Sequence, residues 1–158
     1  MAEQPISLLP FYKGWDTYQE LLIKAIEPLS LDQLSLRAAP QLRSIGDLAT
    51  HIIGARAGWL YYTLEKGDEH LVSLASQPAR CAASLVKGLE ATWQVIQDAL
   101  NHWTIADLAE IVHDTDENGE DQTYTRQWVI WHLIEHDLHH GGELSFTLGM
   151  HGLTGITI

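Results

Sequence analysis

Residues 131–150 read WHLIEHDLHHGGELSFTLGM. His132, His136 and His140 recur at steps of four, which on a helix places them on one face, one turn above the other. His139 also stands one turn from His136, on its other side. The helical period extends outward from this stretch, from about Thr125 to Leu148, with Trp128, Val129, Trp131, Leu133, Leu138, Leu144 and Phe146 inside it and Gly149 at its end. Gly141-Gly142 interrupts it at a cost of about 1 kcal/mol per glycine against alanine. Either a close backbone approach or a bend accounts for that pair.

Three more segments carry the same period. The first runs from about Ser7 to Glu27, with Phe11, Trp15, Tyr18, Leu22, Ala25 and Leu29 in one stripe. Pro28 ends it. Ser30-Leu-Asp-Gln33 resembles a capping box for a short turn of helix. The second helix runs from about Ser44 to Leu64, behind the capped start Ser44-Ile-Gly-Asp47. Leu48, Ile52, Ala55, Trp59 and Tyr62 line its apolar face, and Gly67-Asp68 closes it. The third runs from about Ala79 to His102 on Leu85, Leu89, Trp93, Ile96 and Leu100. Thr104-Ile-Ala-Asp107 reads as another capped turn. Ile111-Val112 and Thr123-Tyr124 flank an acidic stretch with the turn signal Asn118-Gly119, a pattern that suits a short hairpin. Four long helices with short extra turns between them predict an all-α four-helix bundle, one domain over residues 1–158.

The composition excludes several classes of partner. With 9 Lys+Arg against 21 Asp+Glu, and a formal charge of −12, the chain lacks the basic footprint of nucleic-acid binding. The same balance disfavours anionic membranes. No run approaches the roughly 18 apolar residues of a membrane span. No signal-peptide pattern opens the sequence, so the expected location is the cytoplasm. Cys81 is the single cysteine, which rules out an intrachain disulfide. It lies among small residues and reads as a structural or surface thiol.

Chemistry concentrates in the nine histidines. An i, i+4 pair on a helix can chelate one ion, the geometry that HExxH zinc sites use. His136 and His140 form such a pair, with His139 a poorer substitute for His140. Three ligands along one helix would span about 12 Å at 1.5 Å per residue, too far for bonds of roughly 2 Å to a single ion. That makes His132 pocket lining, core or a support for the ligands. The third ligand comes from another helix, and His51, between Leu48 and Ile52, is the best candidate. A single ion is the better count, since Asp137-Leu-His-His140 only approximates one of the Glu-x-x-His motifs of a di-iron bundle and the second helix offers no partner. His70, His102, His113 and His151 read as solvated. Asp47, one turn before His51, either caps its helix or orients the ring. Glu143, one turn past His139 and His140, orients one of them, acts as a base, or pairs with His139 in solvent.

The segments SIGDLATHIIGARAGWLYYTL and HLIEHDLHHGGELSFTLGM resemble the second and last helices of the DinB/YfiT-like bundle proteins. His51 stands at the position of that family's second-helix metal histidine, and His136 and His140 match its H-x-x-x-H pair. The resemblance implies an up-down-down-up four-helix bundle, often a homodimer. It implies a divalent ion, zinc or nickel, on three histidines with positions open to water. It also implies a small-molecule substrate, since characterised relatives include S-transferases and isomerases that use low-molecular-weight thiols. Other relatives have no known reaction. This chain departs from the pattern at Gly141, where a basic residue is common, and in lacking the Trp-centred pattern of mycothiol-using members before His51. The residues leave three functions open: a metal-dependent thiol S-transferase or hydrolase, a non-catalytic metal-stabilised bundle, or packing histidines alone.

Overall fold

Each periodic segment becomes a helix whose ends fall on the capping residues. The computed structural model describes residues 6–76 and 81–158; the expected third-helix start at Ala79 lies outside them, as do the first five residues. The chain enters through a 3-10 turn, Leu9–Tyr12, and continues as α1, Lys13–Ile26. α1 buries Trp15, Tyr18, Leu22, Ala25 and Ile26. Phe11, expected on that stripe, is 64% exposed. It sits in the tighter 3-10 turn, where each residue rotates further and the phase of the α-helical stripe is lost.

The expected capping box at Ser30 and the expected capped start at Ser44 both form. Ser30 caps α2, Leu31–Leu34, and Ser44 caps α3, Ile45–Gly58, with Gln33 and Asp47 reaching back to the cap N–H groups. α3 runs on into one π-helical turn, Trp59–Thr63. Its core face agrees with the expected one at Leu48 and Ile52 and departs from it further along. Leu48, Ala49, Ile52, Ile53, Arg56, Ala57 and Leu60 are buried, while Tyr62 is exposed. The true stripe passes through a charged residue, Arg56, so a search for apolar positions steps aside to Ala55 and Trp59.

Asp68 caps a further short helix, α4, Glu69–Ala75, where the sequence suggested only a helix end. α5, Ala82–His102, buries Leu85, Leu89, Trp93, Ile96 and Leu100 as expected. Thr104 caps a 3-10 turn, Ile105–Ala109. The hairpin is present as β1, Ile111–Thr115, and β2, Asp121–Thr125, with Val112 opposite Tyr124. Gly119 takes φ +80° in its turn, a conformation glycine adopts without a steric penalty. α6, Arg126–Met150, follows at once, capped by the Thr125 hydroxyl.

Residue pairs give the helix directions. Trp15 bonds Asp137 and Tyr18 abuts Gly141, so α1 and α6 run the same way. Gln19 bonds the Leu89 carbonyl while Asp16 accepts from Trp93 and Gln97, so α5 runs against α1. Trp59 packs on Trp128 while His51 packs on His140, so α3 runs against α6. The order is up-down-down-up, with α1 packed on α5 and α6, and α3 on the same two. α3 and α5 are parallel neighbours, and α4 packs on α3.

Two apolar clusters fill the interior. One holds Trp15, Leu60, Trp93, Ile96, Ile130 and Leu133; the other holds Leu22, Ile45, Ile52, Leu89, Leu144 and Leu148. Between them lies a buried polar layer of Arg56, Asp137, Gln19 and Thr92.

Candidate metal centre

α3 and α6 meet with His51 facing His136 and His140. The Nε2 atoms of His51 and His136 stand 3.1 Å apart. The ring centroids are 4.7 Å apart for His51 and His136, 4.5 Å for His51 and His140, and 4.4 Å for His136 and His140. One nitrogen from each ring lies within 4.8 Å of the other two. His51 and His136 are half-buried and His140 is buried, so the cluster is sheltered yet reachable.

Electrostatics favours the ligating form of these rings. Burial depresses the pKa of His136 to about 3, assisted by His140 and His51. Burial also lowers His51, with smaller contributions from Arg43 and His140 and an opposing pull from Glu143. Both imidazoles are therefore neutral at pH 7, as metal binding requires. His140 Nδ1 lies 2.6 Å from Glu143 Oε2. A carboxylate there holds the proton on Nδ1 and leaves the Nε2 lone pair free, the arrangement by which carboxylates orient metal-binding histidines.

The donor set fits a divalent cation of the zinc type. Two nitrogens on one tetrahedral ion, with bonds near 2.05 Å, stand about 3.3 Å apart, close to the His51–His136 separation. His136 Nδ1 is buried without a hydrogen-bond partner among the described residues. This ring therefore lacks the acceptor that Glu143 supplies to His140. A second group, His139, His140 and Glu143, also brings ligand atoms together. It lies on one helix with His139 and Glu143 exposed, and Glu143 is already engaged with His140.

The remaining predicted site residues fall as follows. His132 stays outside the cluster: its ring stacks on Trp128 at 5.0 Å and 5° and meets Trp59 edge-on. Asp47 acts as a cap. Its Oδ2 accepts from the Ser44 N–H and from Arg37, each at 3.0 Å. These bonds, the Ser44 backbone N–H foremost, hold its carboxyl below the usual range. Glu143 orients His140 and stands further, at 3.7 Å, from His139. His70, His102, His113 and His151 are exposed and apart from the cluster. Cys81 is exposed at the start of α5.

Two features escaped the sequence reading. The first is the Arg56–Asp137 ion pair, both side chains fully buried, one residue from His136. Asp137 accepts from Arg56 Nε and Nη2 and, at 2.7 Å, from Trp15 Nε1. Gln19 accepts from Arg56 Nη1 at 2.7 Å. This network ties α1, α3 and α6 together just below the histidines and sets their mutual placement. Its signal was present: Ile52-Arg56-Leu60 and Leu133-Asp137-Leu144 put a charge at core-facing spacing. The second is a cleft of about 540 Å³ that shares Glu143 with the cluster and continues to Leu42, Arg43, Leu48 and Phe146.

Known proteins share this architecture. A DinB-like protein from Bacillus cereus is similar in structure, with a TM-score of 0.73 at 22% identity over 98% of this chain and 99% of that one. A candidate DinB-family member from Exiguobacterium sibiricum gives a TM-score of 0.62 at 17% identity, over 90% and 92%. At such identities the likeness concerns the fold. Among curated proteins none matches the chain. The sequence profile of the DinB superfamily matches residues 15–144, a span that takes in both histidine-bearing helices, and the chain belongs to that superfamily.

Proposed function

We propose that this protein is a metal-dependent enzyme acting on a small molecule, with one divalent ion, zinc or nickel, held by His51, His136 and His140. The observation that carries this reading is the convergence of three imidazole nitrogens from two helices, within 4.8 Å of one another. A divalent ion on three neutral imidazoles keeps its full charge and supplies Lewis acidity, which makes water or a thiol nucleophilic near neutral pH. The reaction class is therefore hydrolysis or thiol transfer, with a low-molecular-weight thiol as co-substrate in the second case.

The chain's own residues perform the supporting tasks. Glu143 Oε2 keeps the proton on His140 Nδ1. Burial keeps His51 and His136 unprotonated. The Arg56–Asp137 layer holds α3 and α6 in register. The adjoining cleft gives a small molecule room beside the cluster.

Metal analysis of untagged protein tests the proposal. Wild-type protein should carry about one equivalent of metal, and His51→Ala and His136→Ala should carry little. Metal-free wild type after incubation with zinc and nickel would reject it. A second reading, a metal-stabilised bundle without turnover, draws on one observation. Glu143, the carboxylate in contact with the cluster, is already committed to His140. That reading expects bound metal and a melting shift with chelator, but no reaction in thiol-transfer and hydrolase assays.

A further inference from the structure

The cleft beside the histidines has a chemical character of its own. Its volume of about 540 Å³ suits a small molecule. Leu42 and Phe146 stand in its wall with 50% and 66% of their surface exposed. Exposed apolar side chains facing one concavity offer a seat for an apolar body. Two charged side chains line it, Glu143 and Arg43. Glu143 is occupied by His140. Arg43 is not occupied. Of the four arginines among the described residues, Arg37 pairs with Asp47, Arg56 with Asp137 and Arg126 with Glu110. Arg43 has no ion pair or side-chain hydrogen bond among the described residues, although the chain has more than twice as many acidic as basic side chains.

From this geometry we infer that the cleft binds a carboxylate-bearing small molecule with an apolar body, its carboxylate on Arg43 and its body against Leu42 and Phe146. The guanidinium presents a planar fork of N–H donors that matches a carboxylate two-pronged. A single free cation, beside the committed acid Glu143 in a protein of net charge −12, suits a monoanion better than a dianionic phosphate. Glu143 lines the same cleft and bonds His140 at 2.6 Å, so a carboxylate seated on Arg43 lies near the cluster. Arg43 is thus a specificity-determining residue at the cleft, in the connection just before the Ser44 cap of α3. The inference rests on the proposed small-molecule function and names the substrate class of that site.

The test compares 4-phenylbutyrate with 4-phenylbutan-1-ol, two probes of equal length that differ in charge. Affinities are measured by calorimetry on the full chain, as purified and after chelator treatment, with metal content determined on the same samples. The chelator-treated sample separates Arg43 from any carboxylate held by a metal ion. Wild-type protein should bind the carboxylate about tenfold more tightly than the alcohol, the scale of one charge-assisted hydrogen-bonded pair. Arg43→Gln should bring the two within about twofold, and Arg43→Lys should restore part of the preference. Amide shifts on adding the carboxylate should concentrate at Leu42 and Phe146. Equal binding of the two probes, no detectable carboxylate binding at millimolar probe, or a preference that survives Arg43→Gln overturns the inference. Wild-type protein that takes up no zinc or nickel on incubation yet keeps an Arg43-dependent preference retains this subsite and loses the metal-enzyme reading. Metal-loaded protein with no preference does the reverse.

Discussion

Glu143 shows how one side chain connects the histidine cluster to its surroundings. Its carboxylate accepts a hydrogen bond from His140 Nδ1–H at 2.6 Å, which fixes the ring's orientation and its free nitrogen. Partners of this kind are worth about 10- to 100-fold in metal affinity. Glu143→Gln should weaken zinc binding by about tenfold while leaving the stoichiometry at one, measured by competition with a chelating dye. His136 shows the opposite side of burial. In the metal-free protein its pKa is pushed down to about 3, against an ordinary value of 6.5. Between those values the unfolded chain holds a proton that the folded protein does not, so stability rises with pH across that window and is lost in acid. With chelator present, the urea midpoint of His136→Gln should fall less between pH 7 and pH 4 than that of wild type. Equal falls would show that His136 is not held neutral.

Within α6, the paired glycines have different meanings. A Cβ on Gly141 would collide with the Tyr18 hydroxyl, whereas a Cβ on Gly142 meets nothing within 4 Å. The close approach of α1 explains the first glycine, and no contact in the structure explains the second. Gly142→Ala should therefore stabilise the helix by up to about 1 kcal/mol. Gly141→Ala should destabilise by about 1–3 kcal/mol, because overpacking outweighs the gain in propensity. Chemical denaturation of the two variants separates them by sign. α3 carries the complementary lesson. Its capped start was readable from Ser44 and Asp47, but past Ile52 its buried face was read one position off, because Arg56 occupies a core position.

Across the molecule, the buried polar layer decides how the two apolar clusters are joined. Arg56 and Asp137 are each fully buried and bonded on several sides. Breaking a pair of this kind leaves an uncompensated charge in the interior, a loss of about 3–5 kcal/mol. Asp137→Ala should lose stability on that scale in urea denaturation. Arg56→Met combined with Asp137→Leu should recover much of the loss, since the layer then becomes apolar. If the single variant costs under about 1 kcal/mol, the layer does not hold the helices as described.

Local chemistry was legible from residue order. Helix starts at Ser30, Ser44 and Thr104, the hairpin around Asn118-Gly119, the core stripe of α5 and the i, i+4 histidine pair all depend on neighbours a few residues away. The bundle class and the histidine trio were readable too, the trio because helical spacing ruled out His132 and the family resemblance pointed to His51. Other features required the folded chain. Whether Glu143 serves His139 or His140, whether Asp47 caps or orients, what covers Gly141, and which arginine is left free beside the cleft are set by contacts between helices far apart in sequence. Arg56 meets Asp137 across 81 residues and Trp15 meets Asp137 across 122. Periodicity reports which face of a helix turns inward, while the identity of the group it meets there is decided by packing alone.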